Sequence, residues 1–189
     1  MRTIFLLAML FCATTLSVAQ TNYYTATKTF YESGYTYNCD LSIKSVELYN
    51  VSNQWIGQFP SYKSTGETFV VPDEGIDLFT DASWLENKQV CQAIVNEKFS
   101  QEQKETITGQ ELFIIMYLNT ETGKIDDVCF DFHNDEPYAY VPVSVYRSIE
   151  VALKERIQFE LTSEGRKLNF IYWCRTVVPQ KWLCLGKWV

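Results

Sequence analysis

The stretch 111–132 constrains the fold more than any other part of the chain. Leu112, Phe113, Ile114, Ile115, Met116, Tyr117 and Leu118 form an unbroken apolar run, Thr120-Glu121-Thr122-Gly123 reads as a turn, and Ile125, Val128, Phe130 and Phe132 recur along the return. That pattern predicts two strands joined in a hairpin, with Gly123 where a positive φ is most needed. An apolar run without alternation belongs to a strand covered on both faces, so 111–119 is expected to be central in its sheet.

The flanking segments predict helices and a further strand. In 82–99, Leu85, Val90, Ala93, Ile94 and Phe99 fall near one helical face, while Glu86, Lys88, Gln92 and Glu97 lie away from it, with Asp81 or Ser83 as cap. Residues 101–109 are polar and read as a loop or a frayed helix end. Pro142 opens a second helix in which Val145, Ile149, Ala152, Leu153 and Ile157 share a face, with Glu150 and Lys154 spaced for an ion pair. Gly165 centres a turn, and 168–178 is a closing strand. Upstream, 25–71 is rich in Tyr, Thr, Val, Ile and Phe and punctuated by turn residues, the composition of strands and hairpins. Within it, Ile43, Val46, Leu48 and Val51, then Ser52-Asn53, then Trp55, Ile56 and Phe59 predict one antiparallel hairpin. The expected class is α+β: an antiparallel sheet with two main helices, a β-rich segment over 20–80 and a helix-hairpin-helix-strand segment over 81–189. With no Pro-, Gly- or Ser-rich linker between them, the two segments are expected to form one domain.

Residues 1–19 carry Arg2, a ten-residue apolar run over 4–13, and Ser17-Val18-Ala19 before Gln20. This is the grammar of a secretory signal peptide cleaved after Ala19, and the run is shorter than the roughly 20 residues that a bilayer span needs. The chain is therefore expected to be exported, periplasmic or extracellular, with no membrane span after cleavage. The bulky Phe11 before Cys12 argues against lipid attachment. Five cysteines remain, Cys39, Cys91, Cys129, Cys174 and Cys184, in a compartment that permits disulfides, with spacing that does not decide between bridges and buried thiols. The net charge of −7 becomes −8 when Arg2 leaves, and no Lys/Arg cluster is present, so nucleic acid is not an expected partner.

The order helix, hairpin, helix, strand over 85–178 resembles the C-terminal domain of TonB-like proteins. Phe113-Ile114-Ile115-Met116-Tyr117-Leu118, the turn Glu121-Thr122-Gly123-Lys124-Ile125, the return Val128-Cys129-Phe130 and the helix 145–157 carry the resemblance. It implies that fold and a tendency toward protein contacts through a sheet edge. The Pro-rich segment and uncleaved anchor of energy transduction are not in the sequence. The chain is also similar to small exported proteins of unknown function common in gut Bacteroidota.

Candidate chemistry concentrates in 126–136. On an extended strand Cys129, Asp131 and His133 project to one face, and Val128, Phe130 and Phe132 to the other. A thiolate, a carboxylate and an imidazole on one face are candidate metal ligands, and Cys129 with His133 a candidate nucleophile and base. Side chains two positions apart on a strand stand about 6 to 7 Å from one another, which is long for such a pair. A half-exposed strand face accounts for the same residues without either role. Asp131, Asn134, Asp135 and Glu136 offer oxygens to a hard cation but do not follow the spacing of an EF-hand loop. The spacing nominates no catalytic carboxylate pair among Asp73, Glu74, Asp77, Asp81 and Glu164, and no phosphate loop, nucleophile elbow or HExxH motif is present. No cofactor is expected. Aromatic residues make up 15% of the chain, and Trp55, Trp173, Trp182 and Trp188 are the candidate ligand contacts. The expected function is a non-catalytic exported protein that binds a protein, peptide or glycan, the alternative a secreted hydrolase using carboxylates or the Cys/His pair.

Overall fold

The computed structural model describes residues 21–179 apart from 33 and 74. Residues 1–19, read above as a signal peptide, and Cys184, Trp182 and Trp188 lie outside the described residues. One antiparallel sheet of six strands organises the molecule: β1 (Lys28–Glu32), β2 (Tyr35–Ser42), β3 (Ser45–Asn50), β4 (Leu112–Asn119), β5 (Ile125–His133) and β6 (Phe170–Val177), in spatial order β1-β2-β3-β5-β4-β6. The α-helices among the described residues are α1 (Asp81–Lys98), α2 (Gln101–Ile107) and α3 (Val143–Arg156).

The β4–β5 hairpin forms as its sequence predicts, with Gly123 at φ 71°. β4 lies between β5 and β6, one place in from an edge; the middle of the sheet is β3 beside β5. Because β3 comes from the first segment and β5 from the second, both contribute strands to one sheet. The hairpin expected across Ser52-Asn53 does not form. β3 instead turns back on β2 through Ile43 and Lys44 and pairs with β5 on its other side, while residues 51–80 leave the sheet as an irregular excursion with only isolated bridges. A strand edge is satisfied equally well by any partner in register, and the long-range partner β5 captured it.

One face of the sheet carries α1 and α3. Leu48, Ile114, Met116, Phe130, Phe132 and Trp173 meet Ile94, Val95, Ile149 and Leu153 in a single buried cluster. The apolar face of α1 differs from the expected one. Ser83, Asn87, Cys91, Ile94 and Val95 are buried and Leu85 is exposed, because Ser83 and Asn87 are drawn in by the chain after α3: Ser83 Oγ accepts from the Glu160 N–H and Asn87 Nδ2 donates to the Gln158 carbonyl. Thr80, not Asp81 or Ser83, occupies the cap position, without a side-chain cap bond. Residues 101–107, expected as loop or frayed end, are helical, because Ser100 and Gln103 close a reciprocal capping box.

Candidate functional site

None of the described helices lies on the second face of the sheet. Strand alternation assigns it Asn38, Asp40, Ser45, Glu47, Tyr49, Cys129, Asp131, His133, Phe113, Ile115, Tyr117, Phe170, Tyr172, Cys174 and Thr176. Register lines these up in rows. One runs Asp40, Glu47, Asp131, Phe113, Thr176 across five strands; the next runs Asn38, Tyr49, Cys129, Ile115, Cys174. Three carboxylates thus sit directly opposite one another, about 5 Å apart from strand to strand. Burial first, then Asp131 and Asp40, push the Glu47 carboxyl above its ordinary range. Asp40 accepts from the Tyr49 hydroxyl at 2.6 Å and Asp131 from Ser45 Oγ at 2.9 Å. No described strand residue on this face is Lys or Arg. Toward β6 the face becomes apolar and open, with Phe113 36% and Tyr172 45% exposed.

One corner is covered. Trp55 stacks on Phe170 with ring centroids 4.3 Å apart, over a small cluster of Tyr117 and Cys129 with Tyr49, Ile56 and Ile115 around it. The excursion is held there by Gln54 N–H to Asp127 and by Asn53 Nδ2 to the Val128 carbonyl, each at 3.4 Å. Trp55 is thus a packing residue. Trp173 is one also: it is buried on the helix side against Phe159, at 4.7 Å between centroids. Among the described tryptophans the one that stands exposed is Trp84, beside Asp77 and Asp81 in a shallow groove.

Cys129, Asp131 and His133 share a face as the alternation predicts, yet they do not form a reactive group. Cys129 is 1% exposed, and burial, reinforced by Glu47 and Asp131, drives its thiol well above the ordinary range. His133 is four residues further on, about 13 Å along an extended strand, and its Nδ1 lies 3.9 Å from Glu136. That distance rules out proton transfer between imidazole and thiol in this arrangement. Asp135 pairs with Lys44 at 2.6 Å, and Glu136 accepts the His133 N–H. The acids of 131–136 therefore face different ways, and among the described residues no group of three His, Cys, Asp or Glu is placed to hold a metal ion. Cys39, Cys91, Cys129 and Cys174 are all free thiols, so no disulfide joins the described cysteines.

Two further surfaces lie apart from this row of acids. Phe59, Phe69, Val70, Val71, Leu78 and Tyr172 line an apolar groove of about 450 Å³ between the excursion and β6. At the far edge of the helix layer, Glu150 of α3 is 1% exposed and lies at the centre of a charged network. It accepts from the Tyr37 hydroxyl and from Arg147 at 3.0 Å; Lys154 lies 2.8 Å from its other oxygen and 3.4 Å from Asp127. Burial raises the Glu150 carboxyl and Lys154 opposes that. The Glu150–Lys154 pair has the spacing expected of a surface helix; its burial, the acids of β2 and β3, and the exposed Phe113 and Tyr172 were not deducible from spacing. The alternation in 38–40 and 45–49 is visible in sequence, but the register that aligns the two is not.

No helix among the described residues is long and apolar enough to cross a membrane. Residues 20–174 match a family described as a domain of unknown function, DUF5043. The chain belongs to the DUF5043 family. Its fold is similar to that of a crystal structure of a DUF5043 family protein from Bacteroides uniformis, at 38% identity and a TM-score of 0.78, covering 86% of this chain and 91% of that one. A search of curated proteins found no match. The helix-hairpin-helix-strand order behind the TonB-like resemblance is present as α1, β4–β5, α3 and β6, but in this DUF5043 chain β3 continues the sheet beyond β5.

Proposed function

We propose that the mature DUF5043 chain, residues 20–189, is an exported, non-catalytic binding protein that receives a polypeptide partner on its uncovered sheet face. The observation that carries the reading is the composition of that face. It joins a three-carboxylate row without Lys or Arg to exposed Phe113 and Tyr172. Carboxylates directly opposite one another repel, and a partner that brings Lys or Arg to the row relieves the repulsion while an apolar side chain covers Phe113 and Tyr172. The buried Cys129 thiol and its separation from His133 take support away from the Cys/His form of the hydrolase alternative. The pairing of β3 with β5 supports treating residues 20–189 as one folding unit.

Affinity capture with the mature chain, run beside the Glu47→Lys/Asp131→Lys variant, tests the surface. A partner retained by the parent and lost by the variant is expected; identical captured sets overturn it. Fractionation of the producing cell with N-terminal sequencing tests export, the expected product starting at Gln20.

A further inference from the structure

Arg147 and Lys154, the two cations of the Glu150 network, line an open cavity of about 540 Å³ together with Tyr35, Asn50, Ser52 and Glu155. Burying a carboxylate beneath two cations costs desolvation that well-packed apolar residues would avoid. What the network does achieve is fixed positions. Glu150 holds Arg147 by one guanidinium nitrogen and Lys154 by its ammonium, Asp127 holds Lys154 from another side, and the Arg147 guanidinium lies 5.6 Å from the centre of the Tyr35 ring. Both side chains remain about one-third exposed, at 32% and 27%, with N–H groups to spare on the cavity side. Across the cavity Asn50 Oδ1 accepts from both the N–H and the Oγ of Ser52, at 3.0 and 2.9 Å. This leaves the Asn50 amide nitrogen as a donor and the Ser52 oxygen as an acceptor. Glu155, exposed on the last turns of α3, adds a carboxylate with no ion pair among the described residues.

The charges decide what such a cavity accepts. Arg147 and Lys154 are balanced by Glu150 and Asp127, and Glu155 makes the surroundings net negative, so an anion gains nothing overall. An apolar ligand would strand the spare donors. The matching ligand offers neutral groups that both donate and accept at close intervals. We propose that this cavity is a binding site for a neutral saccharide, with the Arg147 fork, Lys154 and Asn50 donating to ring and hydroxyl oxygens and Glu155 and Ser52 accepting from hydroxyls. The volume is within the range of small-molecule sites. The site shares no residue with the sheet face, so the two readings stand or fall separately.

The test is nuclear magnetic resonance titration of the isotopically labelled mature chain with glucose, galactose, N-acetylglucosamine and maltose, and with glucuronate as the anionic control. Saturable shifts centred on Asn50, Ser52 and Val151 are expected with at least one neutral sugar, at millimolar affinity. Asn50→Ala and Glu155→Gln, which leave the Glu150 network intact, should each weaken that binding about five- to tenfold. The proposal is overturned if no neutral sugar gives saturable shifts, if the shifts map away from this cavity, if both variants bind as the parent does, or if glucuronate binds more tightly than every neutral sugar.

Discussion

Ile43 shows how much a single residue's backbone can be asked to do. It sits at φ 58° in the two-residue turn between β2 and β3 and is 96% exposed, so it stores the cost of a left-handed β-branched residue and recovers nothing through burial. Ile43→Gly is expected to raise stability by about 1 kcal/mol in chemical denaturation. Glu150 is the opposite case, a side chain whose neighbours depend on it. Glu150→Ala leaves Tyr37, Arg147 and Lys154 facing a void and should cost about 3 to 5 kcal/mol; Glu150→Gln keeps an acceptor for the Tyr37 hydroxyl and should cost clearly less in the same measurement. The thiols divide by exposure in the same way. Burial pushes Cys39 up to about 11 and Cys91 up to about 12, and raises the equally buried Cys129 as well, whereas Cys174 is exposed. Alkylation followed by peptide mapping should mark Cys174 well before Cys39, Cys91 and Cys129, and Trp55→Ala should speed the labelling of Cys129 by uncovering it.

Between elements, two contacts set the geometry of the sheet. The β4–β5 turn is docked against the strand-like chain after α3, where Gly123 O accepts from the Phe159 N–H at 2.8 Å. A Cβ on Gly123 would lie 2.0 Å from the Phe159 carbonyl oxygen. Gly123→Ala must therefore part the two elements as well as strain the turn, and a loss of about 2 to 4 kcal/mol is expected by urea titration. The second contact is the cross-strand row of Asp40, Glu47 and Asp131. Because Glu47 holds its proton more tightly when folded than when unfolded, the stability linked to it is fully present below its unfolded value, about 4.3, and is lost as pH rises through the folded one. Glu47→Gln abolishes that loss. The variant should melt higher than the parent near neutral pH, with the gain shrinking as the pH falls toward 4; an equal gain at both pH values would show that the row exerts no electrostatic cost.

Across the whole molecule, what could be read from sequence was what a few neighbouring residues decide together. The β4–β5 hairpin, α3 with its Glu150–Lys154 pair and the projection of Cys129, Asp131 and His133 to one face all follow from periodicity within one element. The Ser100–Gln103 capping box was equally local, and the polar composition of the helix it opens obscured it. Tertiary structure decided which strand β3 pairs with, which face of α1 is buried, that Trp55 and Trp173 serve packing, and that Asp40, Glu47 and Asp131 share a row. The physical reason is range. Alternation and helical period specify where a side chain points relative to its own backbone. Burial, pKa and the company a residue keeps depend on groups some 80 to 110 residues away, such as Asp131 for Glu47 or Tyr37 for Glu150, and only the closed fold brings those together.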